Sequence, residues 1–364
     1  MRLFTFELKK ILFSRRFLYT FVILLCVTVG LFFRNVAFQE LALEEESKRV
    51  TAYTQEAQSL LRTLQKAPES ESINEQVQHL ARALNLLYEW SPLVKSPDWK
   101  NRLQVENDFL ATLTLYKTAG GDFSIPNEEI APTIAFNEQL LAKGIEPTFE
   151  GYSTKLPNYM QQIANFYINI GAIILLLLVV GDLLTMEFEQ GSIRLLSTQP
   201  IRKTAIIHAK WATSIVIYLI LTLGLFAIAW GVGYLFGEAG SFAYPVALES
   251  GSFITIQEYM LWGLLSTTVV MLLVISLLLL SSLFIKNAIV TLLVIAGILM
   301  VGFFGLQALP FTQQWFNPFL YVFAGMSIQQ VGESWYQSIA ITVVLAVFLY
   351  SVTLLRMQRM RDMS

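Results

Sequence analysis

Apolar residues gather into six long runs: Phe17 to Phe33, Asn165 to Met186, Trp211 to Phe236, Tyr259 to Phe284, Ala288 to Leu309 and Tyr336 to Leu355. The only formally charged side chain in all of them is Asp182. About 20 apolar residues, each rising about 1.5 Å, cross a hydrocarbon core about 30 Å thick. The runs therefore predict six membrane helices. Elsewhere the apolar positions recur every three or four residues. Val50, Tyr53, Ala57, Leu60 and Leu64 share one helix face, and Ile73, Val77, Leu80, Leu84 and Leu87 share another. Pro68 separates the two sets, and Ser72-x-x-Glu75 reads as a capping box, so an antiparallel helical hairpin is expected. A third amphipathic helix is expected around Leu103, Phe109, Leu113 and Tyr116, and a shorter one over Ile134 to Lys143 that stops at Gly144. At the start of the chain Phe4, Leu8, Ile11 and Leu12 form a stripe with Lys9 and Arg16 off it, the pattern of an interfacial helix over residues 1–16.

Composition agrees with the membrane reading. Of 364 residues 55% are hydrophobic and 14% charged, where a soluble domain carries about a quarter charged. Two His and one Cys exclude a structural zinc site or a disulfide framework. The balance of 25 Lys and Arg against 27 Asp and Glu argues against a nucleic-acid partner. His79 and His208 lack companions, which argues against an intramembrane enzyme.

Basic residues set the expected orientation. They crowd residues 1–16, the loop 187–210, Lys286 and the tail 356–364, while loops 237–258 and 310–335 carry none. By the positive-inside bias both termini are cytoplasmic, and residues 34–164 form an extracytoplasmic domain. From Asn35 to Met160 that domain holds 18 acidic and 11 basic residues. It is either a spacer or a gating and partner-binding domain, and its length favours the second. A cleaved signal peptide over the first run is disfavoured, because Arg34 follows directly and no small-residue cleavage site stands out. Cys26 reads as a small apolar residue of the span. Trp315, Phe316, Phe319, Tyr321 and Phe323 around Asn317-Pro318 suggest either an aromatic belt or a short re-entrant helix in loop 310–335. Gly233-x-x-x-Gly237 offers a place for close helix contact.

The most informative stretch follows the second run. A span ends in Glu187 and Glu189, Gly191-Ser192 allows a reversal, Arg194 and the apolar Ile193, Leu195 and Leu196 follow, and Pro200 precedes Arg202, Lys203 and Lys210. This stretch resembles the permease subunits of ABC-2 type ATP-binding cassette transporters, in an acid, Glu-x-Gly-Ser, a Leu-Leu pair, Pro, a basic residue and a later Lys. Ala209 stands where that family often has Gly. The resemblance extends to the basic N-terminal helix and the six-span plan but not to the external domain; together with the helix faces read above, the expected fold is an all-α polytopic membrane protein with six transmembrane helices and a helical extracytoplasmic domain between the first and second. It implies a coupling helix in loop 187–210 seated on a separate ATPase subunit that holds ATP and Mg, and a second permease half, identical or homologous. Glu187 and Glu189 then contact the ATPase or pin the N-terminal helix through Arg or Lys. No Gly-x-x-x-x-Gly-Lys-Ser/Thr loop occurs in this chain. Asp182 either pairs with a basic residue near the inner interface or serves gating and coupling. The expected activity is export of an amphipathic peptide, lipid or drug across a plasma membrane; the lack of external cysteines and of Asn-x-Ser/Thr sequons is compatible with a bacterial one. The alternative is an ATP-driven mechanotransmitter that acts on an external partner without moving a substrate.

Overall fold

A computed structural model describes residues 2–68, 70–149, 151–192, 202–308 and 316–359, Arg2 by its backbone alone. Helix α1 (Arg2–Leu12) leads into α2 (Arg15–Leu64), whose first turn is capped by Ser14 accepting from the Phe17 amide at 3.2 Å. α2 does not end with its apolar run. Residues 34–64 contain neither Gly nor Pro, so nothing interrupts the backbone ladder, and one helix of 50 residues carries the first span into the polar domain. The expected boundary after Phe33 marks a change of surroundings, not of secondary structure.

The polar domain adds α3 (Glu71–Leu93), α4 (Trp99–Thr118) and α5 (Asn127–Lys143) to the distal half of α2. Val50 and Ala57 of α2 meet Leu80 and Leu87 of α3 and Phe109 and Leu113 of α4 in a core separate from that of the spans. Of the faces read from periodicity, Tyr53, Leu60 and Leu64 of α2 and Leu84 of α3 also pack against this core. The expected cap is corrected: Ser70, not Ser72, accepts from the Ile73 amide at 3.3 Å, and Ser72 instead donates to the Ala119 carbonyl at 3.0 Å. Two serines two residues apart can both start a helix, and the tie to the end of α4 takes up the second. α5 closes on Gly144 at φ +63°.

The second span differs from the unbroken helix expected over 165–186. It begins earlier, with α6 (Leu156–Phe166), breaks over Tyr167–Gly171, resumes as α7 (Ala172–Val180), turns at 181–184 and ends in α8 (Thr185–Glu189). At the break Asn169 and Ile170 leave helical geometry, Ile170 at φ +96°. Irregular backbone at membrane depth needs internal partners. Asn169 Oδ1 accepts from the Met326 amide at 3.2 Å, while Asn165 Oδ1 accepts from Asn169 Nδ2 at 2.7 Å and the Tyr259 hydroxyl at 2.9 Å.

The remaining spans are α9 (Lys203–Phe236), α10 (Ile256–Phe284), α11 (Ala288–Gln307) and α13 (Ile339–Arg359). α9 starts two turns before its apolar run. Between α9 and α10 an unanticipated hairpin pairs β1 (Pro245–Ala247) antiparallel to β2 (Phe253–Thr255), with Val246 opposite Ile254. α12 (Ala324–Val331), preceded by a 3-10 turn at Leu320–Phe323, supplies the short helix of loop 310–335; Trp315 lies outside the described residues. Gly233 admits Leu156 and Tyr159: a Cβ there would come within 2.5 Å of the Leu156 side chain. α10 is the central helix, buried along most of its length, whereas α11 and α13 leave Ile289, Val301, Val344 and Phe348 uncovered.

Candidate functional site

The acidic and basic residues singled out after the second span converge with the N-terminal helix at one end of the bundle. α1 packs its Ile11 stripe against α9 and α2, so the apolar face expected to lie on a leaflet is turned inward, with Phe6 and Phe13 outward. This orientation brings Glu7 to the bundle wall. Lys210, about two turns into α9, is fully buried. Its ammonium donates to Glu187 Oε1 at 2.6 Å, Glu7 Oε1 at 3.1 Å and the Leu183 carbonyl at 3.0 Å. Those three bonds use every ammonium proton. Glu7 and Glu187 are 1% and 5% exposed. Two buried carboxylates on one ammonium leave a negative excess, which Lys10 offsets with its Nζ 3.8 Å from Glu187 Oε1. Desolvated charges persist only with such pairing, and removing one partner is strongly unfavourable.

The other residues of the stretch tie neighbouring helices together. Asp182 pairs with Arg16 at the start of α2. Glu189 Oε1 accepts from the Ala288 amide at 2.8 Å, at the positive N-terminal end of α11. Lys286 lies 5.8 Å from the Phe188 ring. Gly191 takes φ +67°, the left-handed conformation a reversal needs, and Ser192 Oγ approaches the Glu187 carbonyl at 3.4 Å. Arg202 is exposed at the N-cap position of α9, with Lys203 the first residue of that helix. Arg194, with Ile193, Leu195, Leu196 and Pro200, lies outside the described residues. His208 hydrogen-bonds the Tyr350 hydroxyl, and the Trp211 ring lies tilted against the Tyr350 ring with centroids 5.0 Å apart, which adds α13.

Glu187, Glu189 and Asp182 thus all have partners within the chain. Sequence reasoning passed over Glu7, although a signal existed: it is the only acid among the first 39 residues, set in a basic helix. Among the described residues the site holds no nucleophile or acid–base pair in an open cleft. What it does is join segments from five of the six spans, plus α1, into one block from which loop 192–202 leaves.

A family described as ABC-2 family transporter protein matches residues 1–357. No curated protein and no solved structure matches the chain. The chain belongs to the ABC-2 transporter family and is a membrane component of transport, with six helices among the described residues long and apolar enough to span.

Proposed function

We propose that this ABC-2 family member is one permease half of an exporter, driven by ATP and Mg on a separate ATPase subunit that grips the loop between Glu187 and Lys210. The observation that carries the reading is the buried Glu7–Lys210–Glu187 cluster. A push on the loop cannot be absorbed locally when both of its roots are pinned to α1 and to each other through desolvated charges. Motion therefore passes to the spans as a rigid-body displacement. Glu187 and Lys210 act in this scheme as positioning residues inside the block, and Arg202, Lys203 and Arg194 are the candidates for direct contact with the ATPase. Asp182, through Arg16, hands the displacement to α2. The basic end faces the cytoplasm, both termini included, and the helical domain stands outside a plasma membrane, bacterial in the reading preferred here. A second permease half, identical or homologous, covers apolar surface that α11 and α13 leave open. The apolar walls suit an amphipathic peptide, lipid or drug.

A second reading has its own support. Because α2 is continuous from the Arg16–Asp182 pair to the far side of the polar domain, the same displacement reaches that domain without a hinge. Mechanotransmission to an external partner uses this rod and needs no translocated molecule.

The test is co-purification of the tagged full-length chain with the ATPase subunits of its source membrane, comparing wild type with Arg202→Glu. Capture by wild type and loss in a variant of unchanged melting temperature is the expected result. Failure of the wild type to retain any ATPase in mild detergent would remove the coupling role of the loop.

A further inference from the structure

The two faces of α1 are put to different uses. The inner face is taken up by the bundle: Glu7 and Ile11 are buried, and Leu3, Leu8 and Leu12 pack against the core. On the outer face Phe6, Lys9, Lys10 and Phe13 stand three and four residues apart, the spacing of one helix stripe. The Phe13 amide still donates to the Lys9 carbonyl at 3.0 Å, so the stripe holds to its last member. Phe6 is 63% exposed and Phe13 87%. Two open rings interleaved with cations form the kind of amphipathic surface that lies in a membrane interface. Phe13 also stands four residues before Phe17, where the first apolar run begins, which puts it within about 14 Å of the hydrocarbon boundary.

The charge on this surface has one sign. Glu7 is the only acid among the first 39 residues, and Lys210 holds it on the buried side of the helix. Arg16 pairs with Asp182 and stays exposed, and Lys10 stands 3.8 Å from Glu187 with half of its side chain open. Lys9 and Arg15 are exposed and have no ion pair among the described residues. Four cations on long apolar stems, immediately before a span, can reach a plane of phosphates while their stems lie along the rings. Clusters of this size at a membrane edge attract anionic lipid. Charge complementarity thus selects the occupant, since the face offers no acid of its own to a basic partner and its two rings are suited to an apolar layer.

We propose that the outer face of α1 docks on anionic phospholipid of the adjoining leaflet, with Lys9 and Arg15 on the phosphates and Phe6 and Phe13 set among the lipids. Because the other face of the same helix holds Glu7 on Lys210, the lipid fixes the depth of the ion cluster and of both roots of the loop beside it. The docking does not require that an ATPase grip that loop, so it goes beyond the coupling reading and stands or falls separately.

The experiment offers the full chain, stripped of lipid in mild detergent, either phosphatidylglycerol or phosphatidylcholine with the same acyl chains, and counts bound lipid by native mass spectrometry. Wild type is expected to retain phosphatidylglycerol in preference and to lose that preference as salt rises. A Lys9→Gln, Arg15→Gln double variant, with the melting temperature of wild type, is expected to need about tenfold more phosphatidylglycerol for equal occupancy. Phe6→Ser, Phe13→Ser, with every cation intact, is expected to hold both lipids more weakly than wild type. Equal retention of the two lipids by wild type, or equal retention of phosphatidylglycerol by wild type and the charge variant, would overturn the proposal. A charge variant that keeps its phosphatidylglycerol but loses a co-purifying ATPase would overturn it too, and would give the face to a protein. Failure of wild type to capture any ATPase, by contrast, removes the coupling reading and leaves the lipid counts as they are.

Discussion

Lys210 is the residue on which the basic end of the bundle depends most. Its three acceptors come from α1, from the turn before α8 and from α8 itself, and two of them are buried carboxylates. Lys210→Met removes the fully buried counter-charge of Glu7 and Glu187, at a cost of about 3–5 kcal/mol. The expected result is a clear fall in the melting temperature of the purified chain, against no change for the exposed Lys9→Met; equal melting of the two would refute the cluster's structural role. In the helical domain Glu106 of α4 behaves oppositely. Burial pushes its carboxyl above the ordinary 4.5, with Glu46 adding to the effect and Arg49, Arg102 and the Asn137 amide opposing it. Because the folded state prefers the neutral acid, stability from this group is present below pH 4.5 and falls as pH rises through the elevated folded value. Glu106→Gln, neutral at every pH, is therefore expected to flatten that fall. Melting of wild type and variant from pH 4 upward, which should diverge with increasing pH, is the measurement.

At the scale of elements, ends and breaks carry the information. α5 ends because Gly144 adopts φ +63°, and a Cβ there would meet nothing within 4 Å. Gly144→Ala thus isolates backbone strain from packing. Its expected cost is about 1 kcal/mol, measured by denaturant or thermal unfolding; an unchanged stability would mean that the cap contributes nothing. The break in the second span is of another kind. Ile170 holds a positive φ that its β-branched side chain disfavours, and the hydrogen bonds from Asn169 and Tyr259 to Asn165, with that from the Met326 amide to Asn169, hold the kink in place. Nothing in the run Ile168 to Val180 announces it: asparagines appear at 165 and 169, but their partners on α10 and at Met326 are about 90 to 160 positions away. In α2 the error ran the other way, since a change from apolar to charged residues looked like an end, while the absence of Gly and Pro let the helix continue.

For the whole molecule, the arrangement of a basic end opposite an acidic domain sets the proposed orientation. A Cys26→Ala background with one cysteine at Ser47 or at Lys286 tests it: a membrane-impermeant maleimide applied to intact cells is expected to label the first and spare the second until the membrane is opened. Labelling of Lys286→Cys alone would invert the topology. The sequence by itself determined the six spans, the helical hairpin faces and the family, because the length of an apolar run and a period of three to four are local quantities that the bilayer and the helix read directly. It pointed as well to Glu187, Glu189, Gly191 and Lys210 as a group, since these lie within 24 residues of one another. Only the tertiary structure decided that Glu7, 203 positions before Lys210, completes the ion cluster, that Asp182 belongs to Arg16, and that the second span is broken. Each of those rests on pairing between groups remote in the chain, where burial makes a specific partner obligatory and sequence spacing carries no record of which one it is.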